Sequence, residues 1–98
     1  MKIEKITEGG EVKLKLAGCL DTAAAPEFEA ALTETAQAPT LVIDFTALEF
    51  IASSGLRALV AANKRAVAAG RTIVITGMND VVADVFDVTG LMEVFTVR

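Results

Sequence analysis

Two short apolar runs, Leu41-Val42-Ile43-Asp44-Phe45 and Thr72-Ile73-Val74-Ile75-Thr76, constrain this chain most, because each is the length of a strand and apolar on both sides. A run of that kind fills a buried strand, and the segment between the two runs is a helix. Leu56, Leu59, Val60, Asn63 and Val67 recur at three- and four-residue intervals, the stripe of a core-facing helix. Strand, helix and strand in that order imply a right-handed crossover between parallel neighbours.

The same reading extends along the chain. Lys2 to Thr7 is strand-like, Gly9-Gly10 reads as a hairpin turn, and Val12, Leu14 and Leu16 alternate with Lys13 and Lys15 as a strand with one buried face. Asp21 or Thr22 caps a helix over Ala23 to Ala36, with Pro26 tolerated in its first turn and Phe28, Ala31, Leu32 and Thr35 on one side. The second helix spans Ser53 to Ala69, with Gly70 just beyond it. Asn79 or Asp80 starts a third helix carrying Val82, Val85 and Phe86, Thr89-Gly90 ends it, and Val94 to Val97 forms a last strand. The expected order is β-β-α-β-α-β-α-β. That is one α/β domain over residues 1–98, in two layers: a mixed, mostly parallel sheet of about five strands, opened by a hairpin, with helices mainly on one face.

Composition excludes several functions. A chain of 98 residues with 53% hydrophobic content suits one packed core. The net charge of −4 argues against a surface for nucleic acid or anionic lipid, and there is no Trp or Tyr for base stacking. No apolar stretch reaches the roughly 18 to 20 residues of a membrane span, and charge enters at Lys2, so a cytoplasmic protein is expected. Without histidine there is no imidazole base, no Ser-His-Asp unit and no zinc cluster, so no enzyme and no cofactor are expected. The glycines form no phosphate-binding loop. Cys19 reads as a small packed hydrophobe. Asp21 and Asp44 are the best acid/base or Mg2+ pair the chain offers, as residues that follow strands on one rim, against the plainer reading of a cap and a strand-end turn.

Ser53-Ser54-Gly55-Leu56 carries the chemistry that remains. These residues stand where a strand gives way to the second helix, where the first N–H groups lack partners and the helix dipole favours an anion. Either serine serves as an ordinary N-cap, or the segment holds a phosphoryl group. Arg57, Lys64 and Arg65 project from the polar side of the same helix, as a solvated face or as a docking stripe for an acidic partner.

Four segments resemble the STAS-domain family, in particular the small anti-sigma factor antagonists of bacteria. They are Leu16-Ala17-Gly18-Cys19-Leu20-Asp21-Thr22, Leu41 to Phe45, Phe50-Ile51-Ala52-Ser53-Ser54-Gly55-Leu56, and Val85-Phe86-Asp87-Val88-Thr89-Gly90-Leu91. The resemblance implies a non-catalytic regulator that binds an anti-sigma factor, itself a serine kinase, and is switched off when that kinase phosphorylates a serine of the third segment. A serine phosphatase resets the switch. Carried onto this chain, the phosphoacceptor is Ser54, with Ser53 as alternative, and Asp21, Thr22, Gly55 and Leu56 flank the serines on the partner-binding surface, to which Arg57 is added by its place on the polar side of the helix. The family pattern usually has Asp before the two hydroxyl residues, where this chain has Ala52. The alternatives are a STAS subunit of a transport or stress-signalling complex without a phospho-switch, and a small-molecule or nucleotide-binding module.

Overall fold

Alternation along the second strand fixes the layers. In the computed structural model, which describes residues 1–98, Leu14 and Leu16 are buried while Lys13 and Lys15 lie on the opposite face. The elements run β1 (Lys2–Glu8), β2 (Glu11–Leu20), α1 (Ala25–Glu34), β3 (Thr40–Ile51), α2 (Ser53–Ala68), β4 (Thr72–Thr76), α3 (Asp80–Val88), a 3-10 turn (Leu91–Glu93) and β5 (Thr96–Val97). The five strands form one sheet in the order β1-β2-β3-β4-β5. β1 and β2 are an antiparallel hairpin, and every later pair is parallel.

That strictly sequential order explains why the helices share a face. Each right-handed β-α-β crossover steps one strand in the same direction, so each places its helix on the same side of the sheet. Leu14, Leu16, Leu41, Ile43, Phe45, Ile73 and Ile75 look toward the helices and meet Phe28 and Leu32 of α1, Ala58, Leu59 and Ala62 of α2, and Val82 and Phe86 of α3 in one core. Each fully buried Leu, Ile or Phe contributes about 1.5–3 kcal/mol. The other face carries Lys13, Lys15 and Asp44, with Val42 and Val74 buried among the polar side chains of their neighbours. Because the strand order never reverses, the sheet has no switch point, the place where open α/β sheets form a ligand crevice.

The sequence reading of fold class and element order holds, and four details change. First, α1 begins at Ala25, not Ala23, because the backbone oxygen of Asp21 accepts from both Ala24 N (3.1 Å) and Ala25 N (3.0 Å), closing a separate turn ahead of the helix. Second, β3 does not stop at Phe45 but bulges and continues to Ile51 along β2, the register shifting between Lys15 and Ala17. Third, the buried side of α2 is Gly55, Ala58, Leu59 and Ala62, so of the expected stripe Leu59 alone is fully buried; Leu56 and Val60 pack half-buried against the core, Asn63 is half-buried and Val67 is 67% exposed. The helix lies so close to the sheet that only small residues fit beneath it: a Cβ on Gly55 would sit 2.7 Å from Leu20 Cγ. Fourth, the last strand shrinks to Thr96–Val97, because the 3-10 turn after Gly90 (φ 75°) and the burial of Phe95 against Phe86 (centroids 6.0 Å apart) use up the residues before it.

Candidate functional site

β2 and β3 are parallel neighbours, so their carboxyl ends, Leu20 and Ile51, finish side by side and deliver the turn Asp21-Thr22 and the start of α2 to the same rim. Ala52 N donates to Leu20 O at 2.8 Å, which carries the strand pairing one residue past β3. Ala52 therefore keeps an extended backbone (φ −88°, ψ 166°) and becomes the N-cap of α2. Neither serine is the cap, contrary to the sequence reading: Ser53 is the first helical residue and Ser54 the second.

An alanine at the N-cap has no side-chain oxygen to offer the helix. The first intrahelical bond runs from Leu56 N to Ala52 O (3.1 Å), so the N–H groups of Ser53, Ser54 and Gly55 precede the helical ladder. No acidic residue stands in this first turn, whereas α1 has Glu27 and α3 has Asp80 in theirs. Arg57 follows on the exposed surface, and neither of the two ion pairs in the structure involves it. The positive end of α2 is thus left unneutralised on a domain of net charge −4.

The serines differ in environment. Ser53 is exposed; Ser54 is half-buried, and its hydroxyl donates to Thr22 Oγ1 across 3.3 Å. That separation is long for an O–H···O bond, a loose tether between the α2 start and the turn after β2. Asp21 is exposed beside it, but its Oδ1 accepts from Ala24 N at 2.9 Å. Gly55 is buried under the helix and Leu56 half-buried at its edge. The rim therefore brings Asp21, Thr22, Ser53, Ser54, Leu56 and Arg57 into one neighbourhood, while Gly55 is turned inward against Leu20 and Ile51. Arg57 leans to the α1 side, where it lines a shallow groove with Glu29, Thr33 and Arg65.

Asp44 does not belong to this rim. It sits inside β3 opposite Lys15, six residues before Asp21 and so about 20 Å away along the strand. The acid/base or Mg2+ pair is thereby ruled out on distance. The Asp44 carboxylate instead accepts from Thr46 N (2.9 Å) and Thr46 Oγ1 (2.5 Å), which braces the bulge of β3. Burial raises its pKa, but the two Thr46 hydrogen bonds and the charges of Lys13 and Lys15 outweigh that and hold it below the usual carboxylate value. Gly77 (φ 78°) packs directly over this brace: a Cβ there would lie 2.9 Å from Thr46 N and 3.0 Å from Asp44 Oδ1.

Cys19 is also corrected. It is exposed rather than packed, because alternation in β2 sends Leu20 into the core and its neighbour to the helix-free face, where Cys19 pairs with Phe50. Phe50 is 43% exposed just before the serines, an apolar neighbour of the rim that sequence reasoning did not single out. No sequence signal marked it: plain alternation would turn Phe50 inward with Leu48, and the register shift between Gly18 and Cys19 instead buries Ile51 and leaves Phe50 facing out. Asn79 was read correctly as a helix start: its Oδ1 accepts from Val82 N (2.8 Å), and its Nδ2 donates to Leu48 O (2.9 Å), docking α3 on the extension of β3.

The helices thus share one face of the sheet, and exposed hydroxyls and the first N–H groups of α2 gather on one rim. The chain belongs to the STAS-domain family: the family described as "Mlab, STAS domain" matches residues 4–97. An anti-sigma factor antagonist from Mycobacterium paratuberculosis is similar at a TM-score of 0.91 and 24% identity, covering 99% of this chain and 84% of that one. SpoIIAA, a Bacillus cell fate determinant solved in its phosphorylated form, is similar at 0.78 and 19% identity, covering 99% and 91%. A sulfate transporter family protein from Wolinella succinogenes is similar at 0.77 and 15% identity, covering 92% and 75%. No curated protein matches the chain significantly. No helix is long and apolar enough to cross a membrane.

Proposed function

We propose that this domain is an anti-sigma factor antagonist: a non-catalytic regulator of transcription that acts in the cytoplasm by docking an anti-sigma factor with serine-kinase activity on the rim around Ser54. Phosphorylation of Ser54, with Ser53 as the alternative acceptor, switches the docking off, and a serine phosphatase restores it. The observation that carries this reading is the position of Ser54, second in an uncapped helix and half-exposed on the rim. A phosphate adds about −1.5 to −2 charges. The free N–H groups of α2 accommodate that charge in the isolated domain, whereas a partner surface fitted to a neutral hydroxyl is penalised by it. Asp21, Thr22, Leu56 and Arg57 surround the serines and form the contact area, and Gly55 beneath them sets the close approach of the helix to the sheet. The antagonist from Mycobacterium paratuberculosis and the phosphorylated form of SpoIIAA support the reading through likeness of fold.

The test is capture of an ATP-binding partner and its affinity for variants. Ser54→Asp lowers partner affinity about tenfold or more, equivalent to about 1.4 kcal/mol, while Ser54→Ala retains binding and blocks phosphate incorporation seen by mass spectrometry. Unchanged binding of Ser54→Asp, or phosphate on neither serine after incubation with the partner and ATP, refutes the switch. A second reading, a STAS subunit of a transport assembly without a phospho-switch, is favoured by Ala52 in place of the family's usual Asp and by the likeness to a sulfate transporter family protein. Co-purification with a membrane complex instead of a kinase decides for it.

A further inference from the structure

The outer faces of α2 and α3 carry opposite charge and the exposed valines of the helix layer. α2 has Arg57, Lys64 and Arg65 and no carboxylate, whereas α3 has Asp80, Asp84 and Asp87 and no base. Val67 is exposed on α2, Val81 is exposed on α3, and Val88 is 86% exposed. Lys64 and Asp84 are exposed too, and neither ion pair of the structure includes them. Each helix sets one charge between two valines spaced by about two turns: Val60, Lys64 and Val67 on α2, and Val81, Asp84 and Val88 on α3. The two helices run back along the sheet in the same direction, α3 starting lower. Asn79 Nδ2 donates to Leu48 O, which stands three residues before Ile51 on β3 and so about 10 Å below the start of α2. At about 1.5 Å per residue that is about six to seven residues down α2. Asp80 is therefore level with about Val60, and Asp84 with about Lys64.

We propose that this face is a self-association surface, on which a second copy of the domain docks about a two-fold axis parallel to the helices. Such an axis preserves height along the helices and exchanges left for right, so α2 of one copy lies on α3 of the other, and every contact is made twice. Lys64 then meets Asp84, with Val60 against Val81 and Val67 against Val88. A two-fold axis across the helices would set α2 on α2 and basic face on basic face, which charge opposes. α1 is a poorer acidic partner for α2, since it exposes no large hydrophobic side chain and its Glu29 already shares a groove with Arg57 and Arg65 of the same chain. Because height is preserved, the two serine rims lie at the same end of the pair, above the start of α3 and uncovered. The inference goes beyond the phospho-switch and needs neither kinase nor phosphate.

The test is sedimentation equilibrium of the full chain from about 10 μM to about 1 mM, the range in which small interfaces associate, at low and at high salt. At low salt the weight-average mass rises with concentration from 10.3 kDa toward twice that value, and salt weakens the association by screening. Lys64→Glu and Asp84→Lys each weaken dimerisation about tenfold or more, because each sets like charges together at two places. The double variant Lys64→Glu with Asp84→Lys regains the dimer, and so does an equimolar mixture of the two single variants. A monomer at every concentration overturns the proposal, as does a dimer indifferent to both single reversals or not regained in the double variant. Growth beyond the mass of a dimer overturns it as well, since it marks an open head-to-tail chain in place of the closed two-fold pair.

Discussion

Ala52→Asp is the substitution on which the geometry of the rim makes its sharpest statement. Ala52 holds an extended N-cap conformation (φ −88°, ψ 166°) and contributes no side-chain hydrogen bond, so α2 starts with its N–H groups unserved. Asp at an N-cap is stabilising relative to Ala by about 1 kcal/mol, within a range of about 0.5–2. For a domain of this size that is a rise in Tm of about 4–8 °C for each kcal/mol. The sign with pH follows from the capping bond, which favours the ionised form and lowers the folded-state pKa of the new carboxyl. Its contribution is therefore complete above the unfolded value, about 3.9, and is lost as pH falls through the lower folded value. Thermal melts of the parent and the variant at pH 7 and at pH 2.5 check this. The expected outcome is a higher Tm for Ala52→Asp at pH 7 and convergence in acid. An unchanged or lower Tm at pH 7, or a gain that persists in acid, refutes the assignment of residue 52 as an unfilled cap.

Gly55→Ala tests the close approach of α2 to the sheet. The added methyl meets Leu20 Cγ at 2.7 Å and Cδ2 at 2.9 Å, and over-packing of this kind costs about 1–3 kcal/mol; an unchanged urea midpoint would contradict the packing. Asp44→Asn tests the brace of the β3 bulge. The Asp44 pKa is lowered in the folded state, so its contribution is present above the unfolded value and is lost as pH falls through the folded one. The parent is expected to lose more of its urea resistance between pH 5 and pH 2 than Asp44→Asn does, and equal losses would show that the carboxylate contributes nothing.

The parts of the fold legible in the sequence are those where pattern and geometry coincide. Thr72 to Thr76 was readable to the residue, because an apolar run bounded by Arg71 and Gly77 leaves no other register. The extension of β3 was not, because Thr46 and Ala47 interrupt the apolar pattern where the strand bulges, and the bond that carries the strand through lies between a side chain and a backbone, Asp44 to Thr46. The core face of α2 was misplaced by one step because Gly55, Ala58 and Ala62 carry little hydrophobic weight, yet they fill the closest contact with the sheet. Helix periodicity alone ranks Val67 above Ala62, and shape reverses that order. At the rim, the residues were legible as a set while their roles were not. The cap moved from the serines to Ala52 because one strand-to-strand hydrogen bond, Ala52 N to Leu20 O, holds residue 52 extended. The Thr22 to Ser54 contact joins residues far apart in sequence and left no local mark.

The sequential order of strands also governs how the chain reaches this structure. No strand pairs with one further along the chain than the next, so every loop that must close to form the sheet is a hairpin or one helix with its two connections. Loop-closure entropy is then spread over several modest steps, and topologies dominated by such near-neighbour pairings fold faster than those that join distant segments. β2 and β3 are the longest strands and lie adjacent, whereas the edges are the charge-alternating β1 and the two-residue β5. The serine rim caps the two longest and mutually paired strands, so fraying of the two-residue edge strand β5 leaves the elements that carry the rim paired.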